Sequence, residues 1–237
     1  MNEDKTAGRP LSRRALITSG GVGVAAGVLA LQGREAASAS ASKAAPADPP
    51  DVDLMQEHGI LKRVLLVYQA SIERITAMDA APLAAIHEGA EIIHDFIEGF
   101  HEPLEEGYVF PKVASAGQLK GTIDTLLVQH AKGRQLTQYI LSASQADSGD
   151  TNPLAAAMAA FVRMYEPHEA REDTVVFPAF RAIVGPDELA RLGVAFRRLQ
   201  RQQFGAHGFS DYVAKVAEIE QELGIYDLNQ FTPTAIP

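Results

Sequence analysis

The 237-residue chain is 46% hydrophobic, carries a formal net charge of −9 and contains no cysteine. That length and composition allow one good-sized domain or two small ones. The missing cysteines exclude disulfides, a thiolate metal site and a cysteine nucleophile, and the acidic balance argues against nucleic acid as a partner.

At the N-terminus, Ser12-Arg13-Arg14-Ala15-Leu16-Ile17 sets two adjacent arginines before an apolar, glycine-rich run from Ala15 to Leu31. Small residues follow, with Ala37-Ser38-Ala39 and Ala39-Ser40-Ala41 as places to cut. The pattern resembles a twin-arginine (Tat-type) export signal, which implies a cargo folded before delivery to the periplasmic or extracellular side. Residues 1–41 are expected to be removed. A membrane is a partner only if the segment stays uncleaved, and its apolar run is barely long enough to anchor. The segment holds five Lys/Arg and three Asp/Glu, so cleavage leaves a more acidic chain. Residues 42–51 are rich in Pro and Ala and read as a linker.

From Val52 onward the periodicity is helical and predicts an all-α fold, with no sustained period-2 alternation to suggest a sheet. The first helix is expected over 52–78, with Leu54, His58, Leu61, Leu65, Tyr68, Ile72 and Ile75 on one stripe. The second begins near Pro82, a good first-turn residue, and is expected to stop before Pro111. Its stripe reads His87, Ala90, His94, Ile97, His101, Leu104, Tyr108. The third covers 119–144, with Ile123, Leu127, His130, Arg134, Thr137 and Leu141 on one face. After a polar turn, Pro153 opens the fourth, whose stripe is Leu154, Met158, Phe161, Tyr165, His168, Glu172, Val175. Four such helices with short connections predict an antiparallel up-down four-helix bundle over 52–184. The extension 185–237 should add two shorter helices, 186–203 and 210–223, over one end of the bundle, and an extended tail.

The chemistry lies in a repeat. His101-Glu-Pro-Leu-Glu-Glu-Gly-Tyr-Val-Phe-Pro111 is echoed by His168-Glu-Ala-Arg-Glu-Asp-Thr-Val-Val-Phe-Pro178. A His and a Glu four apart share one helix face. Two such pairs facing each other would gather imidazoles and carboxylates around one point, which suits iron, manganese or zinc. Each Phe-Pro reads as a helix stop. Each of the four helices places one histidine on its apolar stripe: His58, His101, His130 and His168. A lone histidine there is more often a satisfied core residue, but four of them with two His/Glu pairs favour metal, because buried imidazoles and carboxylates need partners.

His58, His101 with Glu105, His130, and His168 with Glu172 or Asp173 resemble the hemerythrin-like HHE cation-binding domain, over about Val52 to Val184. The resemblance implies a non-haem di-iron centre, with manganese or zinc less favoured. It implies Glu105 and Glu172 or Asp173 as bridges and the four histidines as terminal ligands. Glu172 is preferred, because it lies one turn from His168 and Asp173 is rotated further off. The oxygen-carrying members have two histidines four residues apart on the third helix, whereas here the partner of His130 is Arg134, which stays charged and cannot ligate. Arg134 is expected to orient a ligating carboxylate or to lie on the surface. The implied open coordination favours reaction with O₂, peroxide or NO over reversible carriage, and a metal-binding or sensing module without catalysis is the alternative. The sequence names no redox partner.

Other candidates rank lower. His87–Glu91 and His94–Glu98 stack on the same helix as His101–Glu105, but neither has an echo in the fourth helix. Glu98 could stand behind the ligands or ligate occasionally, His94 reads as a polar residue near the bundle mouth, and His87 and His207 read as solvated. Glu102 and Glu169 point about 100° from their histidines and read as outer-face charges. Tyr108 and Tyr165 lie on the ligand stripes, where aromatic residues usually pack the core. Pro103 and Pro167 each cost a helix interior about 3 kcal/mol and predict kinks or π-bulges that aim His101 and His168.

Overall fold

A computed structural model describes residues 48–146 and 149–236. The export-signal segment and most of the linker lie outside the described residues. Among the described residues the secondary structure is helical throughout, with no strand, and no helix is long and apolar enough to cross a membrane.

Helix α1 is Pro50–Thr76. It starts earlier than the linker reading allowed: Pro50 takes the first-turn position where a missing N–H costs nothing, and Asp51 is buried against Arg181. Helix α2 covers 83–115 without a break, and α3 is Lys120–Gln145. Helix α4 covers 152–184. Gly185, at φ 77°, turns the chain out of α4, and Pro186 opens helix α5, Pro186–Phe204. Helix α6 is Gly208–Glu222, followed by a single 3₁₀ turn at Leu228–Phe231 in the tail that was expected to be extended.

The four long helices form a closed ring of neighbours: α1 packs on α2 and α4, and α3 packs on α2 and α4. Leu54, Leu61, Tyr68, Phe96, Phe110, Phe161, Phe177 and Phe180 fill the interior. Each such side chain contributes about 1.5–3 kcal/mol by leaving water. Helices α5 and α6 lie along the outer flank of α1 and α2 and do not cap an end. Arg197 donates to Asp53, Gln200 to Glu57, Gln203 to the Gly99 carbonyl and Arg63 to Glu220.

Pro111 and Pro178 do not stop their helices. Each follows a π-helical turn, Glu105–Val109 and Glu172–Val176, and the α-helix resumes at Phe110–Ser115 and Phe177–Val184. A proline ring strikes the carbonyl four residues back in a regular helix. The wider turn relieves that crowding. A third π-helical stretch, Ile93–His101, precedes Pro103. Pro167 behaves differently from expectation, standing inside the regular helix Asn152–Arg171 with the wide turn five residues later.

Candidate metal centre

Four helices bring the repeat and its flanking histidines to one place. His58 (α1), His101 and Glu105 (α2), His130 (α3), and His168 and Glu172 (α4) are all buried, none more than 3% exposed. Their Nε2 atoms meet in two pairs: His58 and His101 at 3.0 Å, His130 and His168 at 3.1 Å. The carboxylates reach both pairs. Glu105 Oε1 lies 3.4 Å from His101 Nε2 and 3.9 Å from His58 Nε2, while its Oε2 lies 3.5 Å from His130 Nε2. Glu172 Oε2 lies 3.2 Å from His168 Nε2 and 3.4 Å from His58 Nε2. His58, His101 and Glu105 form one compact donor group, and His130, His168 and Glu172 a second.

What turns every Nε2 inward is the other ring nitrogen. His58 Nδ1 is 2.8 Å from Asp173, His101 Nδ1 is 2.9 Å from Glu57, His130 Nδ1 is 2.9 Å from Glu106, and His168 Nδ1 is 2.9 Å from the Gln129 amide oxygen. A carboxylate only accepts, so Nδ1 carries the hydrogen and Nε2 presents its lone pair to the interior. Orientation of a metal-binding imidazole by an acceptor behind it is the usual arrangement.

The electrostatics point to a cation. Burial alone would lower the pKa of His58, but Asp173 and Glu172 together raise it to about 9. Burial likewise opposes charge on His101 and His130, yet Glu105 and Glu57 raise the first well above its usual range and Glu106 raises the second. Burial would raise Glu172, but His168 and then His58 hold it below the usual carboxylate range. Its two oxygens and those of Glu105 have no hydrogen-bond partner. Buried oxygens left without donors cost roughly 1–3 kcal/mol each or more when charged. A cation among four imidazole Nε2 atoms and two carboxylates removes that cost, so the residues present fit a metal site.

Asp173 therefore stands behind His58, while Glu172 faces the interior. Arg134 reaches neither Glu105 nor Glu172; it contacts Glu102 Oε2 at 2.5 Å and Glu106 Oε1 at 2.6 Å. Glu102, Glu106 and His130 make a third donor group, but its cation place is taken by that guanidinium. Glu102 and Glu169 are not outer-face charges: both are 1% exposed or less. A direction 100° from the core is, for a helix with neighbours on both sides, a seam between helices. Glu102 accepts from Tyr165 Oη at 2.7 Å, and Lys62 Nζ pairs with Glu169 at 2.8 Å. Burial raises the pKa of both carboxyls despite these partners.

Tyr165 is buried beside His168, with ring centroids 5.2 Å apart. Gly133 makes room for it, since a Cβ there would lie 2.1 Å from the phenol oxygen. Tyr108 leaves the interior and packs edge-on against Phe196. Glu98 accepts from Thr137 at 2.5 Å, and burial raises its pKa to about 7. His94 is exposed beside Asp95, and His207 is exposed. His87 is half-buried against Ser144 and Gln145 instead of simply solvated.

Sequence reasoning missed Glu57, Gln129 and Glu106 as partners of imidazoles. The available signal was adjacency. Glu57 and Gln129 each precede a stripe histidine, and Glu106 and Asp173 each follow a repeat glutamate. Each serves a histidine on a neighbouring helix, never its own.

Comparison with known proteins agrees with the geometry. The family described as the hemerythrin HHE cation binding domain matches residues 50–180. The uncharacterized proteins Rv1995 of Mycobacterium tuberculosis and Mb2018 of Mycobacterium bovis are each 46% identical to this chain over 222 residues, covering 89% of it and 87% of theirs. No solved structure matches the chain at a significant level.

Proposed function

Because this chain belongs to the hemerythrin HHE cation-binding family, we propose that it is an antiparallel up-down four-helix bundle holding a non-haem di-iron centre that binds or reacts with O₂, peroxide or NO. The observation that carries this reading is the convergence of four Nε2 lone pairs on two buried carboxylates without hydrogen-bond partners. His58 and His101 would hold one iron, His130 and His168 the other, with Glu105 and Glu172 between them. Asp173, Glu57, Glu106 and Gln129 would orient the imidazoles. An iron pair supplies reversible redox chemistry and coordination positions for a diatomic molecule or peroxide. The protein contributes a dry pocket, fixed donors and a third-helix position, Arg134, that cannot add a ligand. Manganese or zinc is the lesser alternative for the same donors. Arg13 and Arg14 support export of the loaded protein to the periplasmic or extracellular side.

The test is metal content per chain with an anaerobic optical spectrum before and after O₂, peroxide or NO. Two irons and a new near-ultraviolet and visible band support the proposal; a folded chain that retains no iron sinks it. One observation favours a second reading, a metal-responsive module: Gln200 on α5 donates to Glu57, which itself holds His101. Loading that alters stability and α5 without spectral response to any of the three molecules would select that reading.

A further inference from the structure

The two halves of the centre differ in what covers them. On the flank of α1 and α2, helix α5 lies over Glu57. The cavity left there, 130 Å³, has Glu57 and Asp53 in its wall together with Arg197, which is paired with Asp53, so that Glu57 is its unbalanced charge; no imidazole lines it. Among the described residues, neither α5 nor α6 lies over the matching seam between α3 and α4. Its cavity of 310 Å³ is lined by Gly121, Thr122, Thr125, Gln129, His168 and Arg171, so it reaches an imidazole of the centre directly. No carboxylate lines this second cavity, and its one formal charge is the Arg171 guanidinium. In a chain of charge −9, that is the opening a small anion would find least repulsive. Gln129 has its oxygen engaged by His168 Nδ1, while its amide group still offers two N–H donors.

We propose that small anions and peroxide-sized polar molecules reach the centre through the α3–α4 seam, past Thr125 and over Gln129, and not through the α1–α2 flank. This route rests on the metal reading above. Gln129 is thus a positioning residue for His168 and also the inner wall of the passage. At the equivalent place Glu57 carries a negative charge under a helix, which closes that side to anions.

The experiment is stopped-flow binding of azide to the oxidised, metal-loaded full chain, with metal content measured for every variant. Thr125 is exposed, and Thr125→Trp fills the mouth. It should slow azide association and dissociation alike, by about ten-fold each, leaving Kd and metal content unchanged, since an obstructed path changes rates and not the end states. Gln56→Trp, on the rim of the α1 cavity, should leave both rates at the parent value. Parent rates in Thr125→Trp, or slowed rates in Gln56→Trp, overturn the route while leaving the metal reading intact. A parent chain that holds no metal overturns the metal reading itself. Because the chain has no cysteine, Thr125→Cys can be blocked with a maleimide after folding and loading, which keeps the test decisive if tryptophan disturbs the helix.

Discussion

Glu57 and Gln129 stand at matching places in the two halves of the helix array, one a carboxylate and the other its neutral isostere. Each precedes the histidine of its own helix and accepts from Nδ1 of a histidine on the next, His101 and His168 respectively. A carboxylate behind an imidazole makes Nε2 a stronger donor than an amide does. Glu57→Gln should therefore weaken metal binding by about ten- to a hundred-fold, and Gln129→Glu should strengthen it. Chelator competition measures both; equal affinities in all three proteins would refute the idea.

Removing the metal should cost stability. A ligand held at about a thousand times its Kd adds roughly 4 kcal/mol, which for a chain of this size is a Tm difference of about 10 °C. Thermal melts before and after dialysis against a chelator would show it. An unchanged Tm would mean that the six buried side chains are tolerated as a polar core without a metal.

Gly133 and Tyr165 should behave as one unit. Gly133→Ala forces the phenol off Glu102 and is expected to destabilise by about 1–3 kcal/mol through overpacking. In a Tyr165→Leu background the same change should cost much less. A denaturant double-mutant cycle reads the coupling, and additive costs would contradict the contact.

Glu98 makes stability depend on pH near neutrality. Its pKa moves from the ordinary 4.5 to about 7 on folding. Between those values the folded chain keeps a proton that the unfolded chain has lost, so its contribution to stability falls as pH rises through that window and is level above it. Glu98→Gln keeps an acceptor for Thr137 and avoids that loss. It should be more stable than the parent by on the order of 2 kcal/mol at pH 8, with the gain shrinking to nothing toward pH 4.5. Urea melts of metal-free protein at the two pH values check the sign.

Export has its own test. Arg13→Lys with Arg14→Lys should leave an unprocessed precursor inside the cell, whereas the parent should begin just after one of the small-residue cleavage sites. N-terminal sequencing of both fractions decides it.

The helices and the inward histidines were legible because burial imposes a period that four-residue spacing records. The orienting shell was not. Glu57 and Gln129 look like ordinary polar residues beside a histidine; contacts with α2, α5 and α4, set by chain far away in sequence, give them partners. The burial of Glu102 and Glu169 is not legible from a 100° offset, because each of these helices has a neighbour on both sides and that direction is a seam instead of solvent. The prolines misled for a local reason: Pro111 and Pro178 end a regular helix but can follow a widened turn.

Those widened turns make the site hard to transplant. Glu105 and Glu172 each open a π-helical turn that holds one residue more than an α-helical turn would. A designer who copied the histidines and glutamates onto ideal helices would keep every donor and still rotate Phe110 and Phe177 away from the places they fill. Phe110 and Phe177 stack on His130 and His58, so the rings that wall the imidazoles in would leave with the surplus residue. Deleting Gly107 or Thr174 along with the copying would be the remedy, because an ordinary α turn lacking the surplus residue returns Phe110 or Phe177 to nearly the same direction.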